Sequence, residues 1–393
     1  MTNMKKCLLL ACAILAVSAC APKSTELKIY DLDAVGFEVT VKMSDIADNL
    51  RVVPLESGDD FIVSSETQKW VNDKYILIFG QNAIEQFSAE DGKHIRTLAV
   101  KGGGPNEYDY VLSPFVDDER QILYFSKMKG GSAKAIDLNT GSFLPDVDFK
   151  VDRVTAAAIS SDGRLILPSK ENLFDYFDPA TGEHEPFYES TDTTDASSKA
   201  TSLQGVIISS LTNTNFFCNS EELFIIKDTL YLVKEKQLVP YCGFVFKHDD
   251  QENDSGSKTT YLNLDYVGDK DIVVSLMDRE LNIGKSGGQI TSVSVRIDTK
   301  RKVIIDRKSG EIKAFDKFII NPSFESESEF ASRKVFRGSR YIAAAIEAYN
   351  VKDCIDKAIK DGVLSDSQQT ELMTLSSRIT EDSNPVFVIG RKR

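Results

Sequence analysis

One unit recurs along this chain and restricts its fold more than any other feature: a short apolar strand, a turn carrying an acidic or polar residue with glycine, then a second strand. It reads "IEQFSAEDGKHIRTL" at 84–98, "AKAIDLNTGSFLPDV" at 133–147, "LFDYFDPATGEHEPF" at 173–187 and "KVIIDRKSGEIKAF" at 302–315. Its turn glycines are Gly92, Gly141, Gly182 and Gly310, at intervals of 141 − 92 = 49, 182 − 141 = 41 and 310 − 182 = 128 residues. The last interval is close to three periods, so two further units are expected inside it. Glycine supplies a positive φ that other residues reach only at a cost, and Asp or Asn can bond its own backbone in such a turn. A lone hairpin cannot bury both faces. Sheets of about four strands repeated every 40 to 50 residues pack face to face around an axis, the arrangement of a β-propeller.

"DTLYLVKEKQLVPYCGF" at 228–244 fills one missing place, with residues 234–237 as the turn, and "DIVVSLMDRELNIG" at 271–284 belongs to the other. Near the C-terminus the period changes. Val351, Ile355, Ala358 and Ile359 share one helical face that stops at Gly362, and Ser365 with Gln368 makes a capping box before Leu372, Leu375 and Ile379. A helical hairpin over 350–382, inserted in the last blade, is expected. "RYIAAAIEAY" before it suits helix by its alanines and strand by its place in the repeat.

The N-terminus sets the compartment. Lys5 and Lys6 precede an uncharged run from Cys7 to Ala19, too short for a membrane span of about 20 residues and suited to a secretory signal. "VSAC" ends it, the pattern of a bacterial lipobox in which Cys20 is lipidated. Residues 1–19 are read as the signal peptide, 20–45 as a tether and 46–393 as the propeller. Removing the signal leaves 393 − 19 = 374 residues, and loss of its two lysines moves the formal charge from −13 to −15. That acidity argues against nucleic acid, whose phosphates select basic surfaces. Cys218 and Cys242 are near each other in sequence in an exported chain, which makes a disulfide between them an expectation, with Cys354 unpaired. His94, His184 and His248 are isolated, so no zinc spacing appears, and no metal or other cofactor is expected.

"VKGGGPNEYDY" at 100–110 lacks the Lys-Ser or Lys-Thr pair and the helix of a phosphate loop, and Glu107 would repel the anion. It reads as a corner between one blade and the inner strand of the next, placing Glu107 and Tyr108 near the central mouth. Asp117 and Asp118 read as a solvated turn.

"VVPLE" at 52–56, "GGGPNEY" at 102–108, "DTLYLVKEKQLVPYCGF" and the terminal "EDSNPVFVIGRKR" at 381–393 resemble, in that order, the recurring segments of the six-bladed β-propeller lipoproteins of Bacteroidetes, which have a TolB-like architecture. The resemblance runs from about residue 45 to the end. It implies an all-β six-bladed propeller and the export route, and no established reaction. Cys242 departs from it, standing where an aliphatic or acidic residue is usual. The function expected is a binding or scaffold module for a saccharide, peptide or protein ligand, held by its lipid on the periplasmic side of the outer membrane. The alternative is a propeller enzyme, a lactonase-like hydrolase or a lyase, which needs acids and amides converging on the axis. Glu107, Tyr108, Asn215 and Asp316 are the residues expected at the mouth. No Gly-x-Ser-x-Gly elbow is present, and no catalytic residue is assigned.

Overall fold

The computed structural model describes residues 27–393 apart from 37, 65–66, 109–110, 127–131, 150–157, 160–163, 169–173, 189–215, 219–221, 227, 235–236, 254–255, 287–288, 321–326, 329–339 and 363. An N-terminal segment holds β1 (Lys28–Asp31), β2 (Glu38–Lys42), a one-turn helix α1 (Met43–Ile46) and β3 (Ala47–Pro54). The first sheet holds β4 (Gln68–Val71), β5 (Tyr75–Phe79), β6 (Ala83–Ser88), β7 (His94–Lys101) and β8 (Glu107–Tyr108). The second has β9 (Leu112–Asp117), β10 (Ile122–Ser126), β11 (Ser132–Asp137) and β12 (Phe143–Asp148). The third has β13 (Ala158–Ile159), β14 (Leu165–Pro168), β15 (Phe174–Asp178) and β16 (Glu183–Tyr188).

The fourth sheet contains β17 (Phe216–Cys218), β18 (Glu222–Ile226), β19 (Thr229–Lys234) and β20 (Gln237–Val245), with β1 added parallel to β20. The fifth contains β21 (Gln251–Asn253), β22 (Gly256–Val267), β23 (Asp271–Ser286), β24 (Gln289–Asp306) and β25 (Ile312–Ile319), with β2 parallel to β25 and β26 (Glu327–Ser328) beside it. The sixth joins β27 (Tyr341–Ile346) and β28 (Val386–Lys392) to β3, and between its first two strands stand α2 (Ala348–Asp361) and α3 (Asp366–Arg378).

The repeated turns fold as their composition dictates. Gly92, Gly141, Gly182 and Gly310 all have φ between 65° and 77°. In the last of them Asp306 accepts the N–H groups of Lys308 and Ser309 through its carboxylate, while Gly310 donates its N–H to the Asp306 carbonyl at 2.7 Å. Asp137 holds Asn139 and Thr140 in the same way. The two missing units are present: Lys234 pairs with Gln237 across one hairpin, and 271–284 lies on β23.

Strand patterns report how the sheets stack. In β5 Ile76, Leu77, Ile78 and Phe79 are all buried, so alternation is lost because neighbours cover both faces. One apolar cluster joins the sixth, first and second sheets through Phe387, Ile84, Phe87, Leu123 and Ile136. Phe115, Phe149 and Phe177 link the second and third. Leu230, Phe244, Leu264 and Val274 link the fourth and fifth. Val273, Phe318, Ile342 and Val388 link the fifth and sixth, and Val351, Ile355, Leu372 and Leu375 dock the helical hairpin on that cluster. Between the third and fourth sheets, β13 lies against β17 and β16 against β20.

Two expectations are corrected. The stretch read as a tether is strand from Lys28 to Asp31 and again from Glu38 to Lys42. The disulfide is excluded by topology: Cys218 on β17 and Cys242 on β20 are separated by β18 and β19, a lateral gap of roughly 14 Å at about 4.8 Å per strand. A disulfide needs Cα atoms within about 7 Å. Cys242 is a free, buried thiol, and burial pushes its pKa up to about 12.

Candidate functional site

The glycine-rich stretch is a corner, as its residues predict. β8 pairs parallel with β7, so Glu107 and Tyr108 extend the edge of the first sheet instead of starting the inner strand of the second. The Glu107 carboxylate turns back into its own loop and accepts the Gly104 N–H at 2.7 Å. A Cβ on Gly102 would meet that carboxylate oxygen at 2.0 Å, so a larger residue there would have to push the Glu107 side chain out of the loop. Tyr108 is buried, donates its hydroxyl to the Gly80 carbonyl at 3.2 Å and packs edge-on against Phe125 at 6.2 Å. Burial raises its pKa to about 12. Asp316 is exposed on β25, in a different sheet. Asn215 and Cys20 lie outside the described residues.

A constellation not anticipated from sequence forms where the ends of several sheets meet. The turn from β9 to β10 carries Asp117 and Asp118, and Asp117 is fully buried. Its carboxylate accepts the Glu119 and Arg120 N–H groups at 3.0 and 2.9 Å and the Arg120 guanidinium at 2.8 Å. That frees the next side chain to face the first sheet. Asp118 accepts the Trp70 indole N–H at 3.4 Å and the Asn72 amide at 3.1 Å. Asn72 also donates to Gln121 Oε1 at 3.3 Å, and its own oxygen accepts the Lys74 and Tyr75 N–H groups at 3.0 and 2.8 Å. The amide is therefore fixed in orientation by the β4–β5 turn.

The sixth sheet closes the other side. Tyr341 donates to Asp73, which neighbours Asn72, and Arg340 precedes Tyr341. Burial raises the Asp118 pKa from 3.8 to about 6, against the opposing pull of its Asn72 and Trp70 hydrogen bonds and the Arg340 charge. Lys392, at the end of β28, has the reverse shift: burial of its ammonium group lowers the pKa to about 8, while the Asp118 charge pulls it back up. That ammonium sits 5.6 Å from the ring centre of Tyr266, whose hydroxyl is held by the Ile46 carbonyl at 2.5 Å. An indole, an amide pair, a carboxylate of raised pKa, a guanidinium and a partly desolvated ammonium thus share one neighbourhood. The indole and the Asn72 amide are spent on partners inside the cluster, so it is the charges of Asp118, Arg340 and Lys392 that such a set would turn towards a polar ligand. Among the described residues no group of three or more His, Cys, Asp or Glu side chains could hold a metal ion. The sequence signal was Asp117–Asp118 itself; the buried partner face supplied by Trp70 and Asn72, 46 to 48 residues away, is not a local pattern.

A family model described as "Domain of unknown function (DUF4934)" matches residues 27–391. No curated protein matches the sequence. Among solved structures, a Bacteroides fragilis protein provisionally described as exported is 15% identical, with a TM-score of 0.53 over 91% of this chain and 100% of its own. A member of the DUF4221 family from Bacteroides vulgatus is 11% identical, with a TM-score of 0.40 over 88% of this chain and 98% of its own. Virginiamycin B lyase from Staphylococcus aureus is 9% identical, with a TM-score of 0.36 over 87% and 99%.

Proposed function

Because this chain belongs to the DUF4934 family, whose description assigns no activity, we propose its function from its own geometry: an exported propeller that binds a saccharide, peptide or protein ligand without transforming it. The observation that carries this reading is the hydrogen-bonded cluster of Trp70, Asn72, Asp118 and Gln121, on whose carboxylate the Arg340 charge acts and whose carboxylate acts in turn on Lys392. A carboxylate and an ammonium group whose pKa values burial draws towards neutrality would recognise a polar ligand through charge-assisted hydrogen bonds. The six sheets are proposed as six blades in a ring. Supporting this, each sheet packs on the next in chain order, and the sixth packs on the first.

The address follows from the N-terminus. Lipidation at Cys20 would hold the body on the periplasmic face of the outer membrane, and the likeness to a Bacteroides protein described as exported is in keeping with this. Among the described residues no helix is long and apolar enough to cross a membrane. Cys20→Ser is expected to release the protein from the membrane fraction or block its processing; normal processing with full membrane retention would refute the anchor.

The ligand reading is tested with the chain from Ala21 onward, which contains every described element. A thermal-shift screen of oligosaccharides and short peptides is expected to return a stabilising ligand, and the shift should vanish in Asp118→Asn combined with Arg340→Ala. A ligand whose shift survives that pair would place the site elsewhere. Turnover of that ligand would overturn the non-enzymatic reading.

A further inference from the structure

The β23–β24 hairpin extends beyond the body of the fifth sheet. β23 is buried from Asp271 to Met277 and becomes mostly exposed or half-buried from Glu280 onward. On the far side of β24, β25 pairs only with Lys302 to Ile305. Residues 289–301 of β24 therefore carry β23 on one side and no described strand on the other. At about 3.4 Å per residue this is an open edge of roughly 44 Å. Open edges invite strand addition, and proteins usually block them with proline, inward charges or brevity. From Thr291 to Val295 there is no charge and no proline, and Val293 and Val295 are each 49% exposed.

We propose that this edge pairs with the same edge of a second copy of the chain, antiparallel, about a two-fold axis at Val295. The register is set by the ends of the edge. With the axis at Val295, Gln289 of one copy meets Arg301 of the other, so the whole open stretch is paired. Moving the axis to Arg296 puts two like charges directly opposite and drives the tip into residues already paired with β25; moving it to Ile297 worsens that collision.

The side chains match in the Val295 register. On one face Val295 meets Val295 and Val293 meets Ile297, β-branched pairs suited to a pleated surface. On the other, Ser294 meets Arg296 and Ser292 meets Asp298, hydroxyls opposite charged donors and acceptors. Arg296 and Asp298 are already joined within the strand at 2.8 Å, so the edge approaches its copy with that charge pair neutralised. The ladder with β23 shifts register at Gly284/Lys285 and at Leu276/Met277, which leaves β24 regular from Ser292 to Thr299, a span that holds Val295 and every pair from Ser292–Asp298 inward.

Sedimentation of the chain from Ala21 onward over a hundredfold concentration range is expected to show the mass doubling as concentration rises. Val295→Pro removes a ladder donor and should keep the protein at half that mass, with the melting temperature of the dilute, monomeric wild type. In a Cys354→Ser background, V295C should cross-link two chains on mild oxidation, whereas Y349C, on the exposed face of α2, should not. A wild type that is monomeric throughout overturns the proposal. So does a dimer that V295P leaves intact and V295C fails to cross-link, since another face must then hold it. If V295P does not fold, the V295C cross-link decides alone.

Discussion

At the scale of single residues, a turn glycine answers to its own backbone, whereas a turn carboxylate answers to whatever the fold packs against it. Gly92, Gly141, Gly182 and Gly310 declare themselves because a positive φ is a local demand that a local motif can display. Asp117 and Asp118 look like any solvated turn until Trp70 and Asn72 arrive from another sheet to desolvate Asp118. The consequence is a pH dependence of definite sign. The Asp118 pKa is raised from 3.8 to about 6, so between those values the folded protein holds a proton the unfolded chain has released. Its contribution to stability is therefore present at acid pH and is lost as pH rises through about 6. Asp118→Asn abolishes that titration. Chemical denaturation of both proteins from pH 4 to 7 should show the wild type losing stability relative to the variant across this window; parallel curves would mean that Asp118 keeps an ordinary pKa. Lys392 acts in the opposite sense: with its pKa lowered to about 8, stability should rise as pH increases from about 8 towards 10.5, and Lys392→Met should remove that rise.

At the scale of elements, helices and hairpins with their own period were readable, whereas strands that merely decorate an edge were not. The α2–α3 hairpin carries every signal in its own sequence: Gly362 in the left-handed region at φ 67°, the reciprocal Ser365–Gln368 box, and the docked stripe of Val351, Ile355 and Leu372. By contrast, β1, β2 and β8 join their sheets in parallel over two to five residues, too short to show alternation. This is why the sequence reads as a tether over 20–45 and as an inner strand beginning at 107–108. The capping box gives a measurable handle. Ser365 accepts the Gln368 N–H at 3.3 Å, and Ser365→Ala should cost about 1 kcal/mol, the usual loss for a removed N-cap. Because α3 is bounded by its own caps and docks through few large side chains, hydrogen exchange in 366–378 should speed up while strands β5 and β6 keep their protection. Unchanged exchange in α3 would show that docking, and not the cap, holds its first turn.

At the scale of the whole molecule, the link between the two ends of the chain decides stability. β3 and β28 pair antiparallel from Val386 with Pro54 to Lys392 with Ala47, as the strand-like character of 50–56 and 385–393 leads one to expect. The pairing could be foreseen because a repeating sheet leaves an unpaired edge at each end, and only a distant strand can cover it. The edge strand β27 is harder to place, since its alanines favour helix and only β28 beside it makes it strand. The join is reinforced off the ladder. Asn384 donates to the Glu56 and Phe61 carbonyls at 2.8 and 3.1 Å and accepts the Val63 N–H at 2.8 Å, and Glu56 in turn donates its N–H to the Gly92 carbonyl at 2.8 Å. Deleting 385–393 removes the ladder on both sides of β28 and withdraws Val386, Phe387, Val388 and Ile389, all fully buried, from two apolar clusters. At roughly 1.5 to 3 kcal/mol for each large apolar side chain, that loss is about 6 to 12 kcal/mol, comparable with a typical domain's whole stability of about 5 to 15 kcal/mol. The truncated chain should aggregate or unfold, while Asn384→Ala, which leaves the ladder intact, should lower the melting temperature by several degrees and keep the far-ultraviolet spectrum. A soluble truncation with unchanged melting and spectrum would mean that the ring is not held by its ends, and the six-bladed proposal would then lose the contact on which it depends.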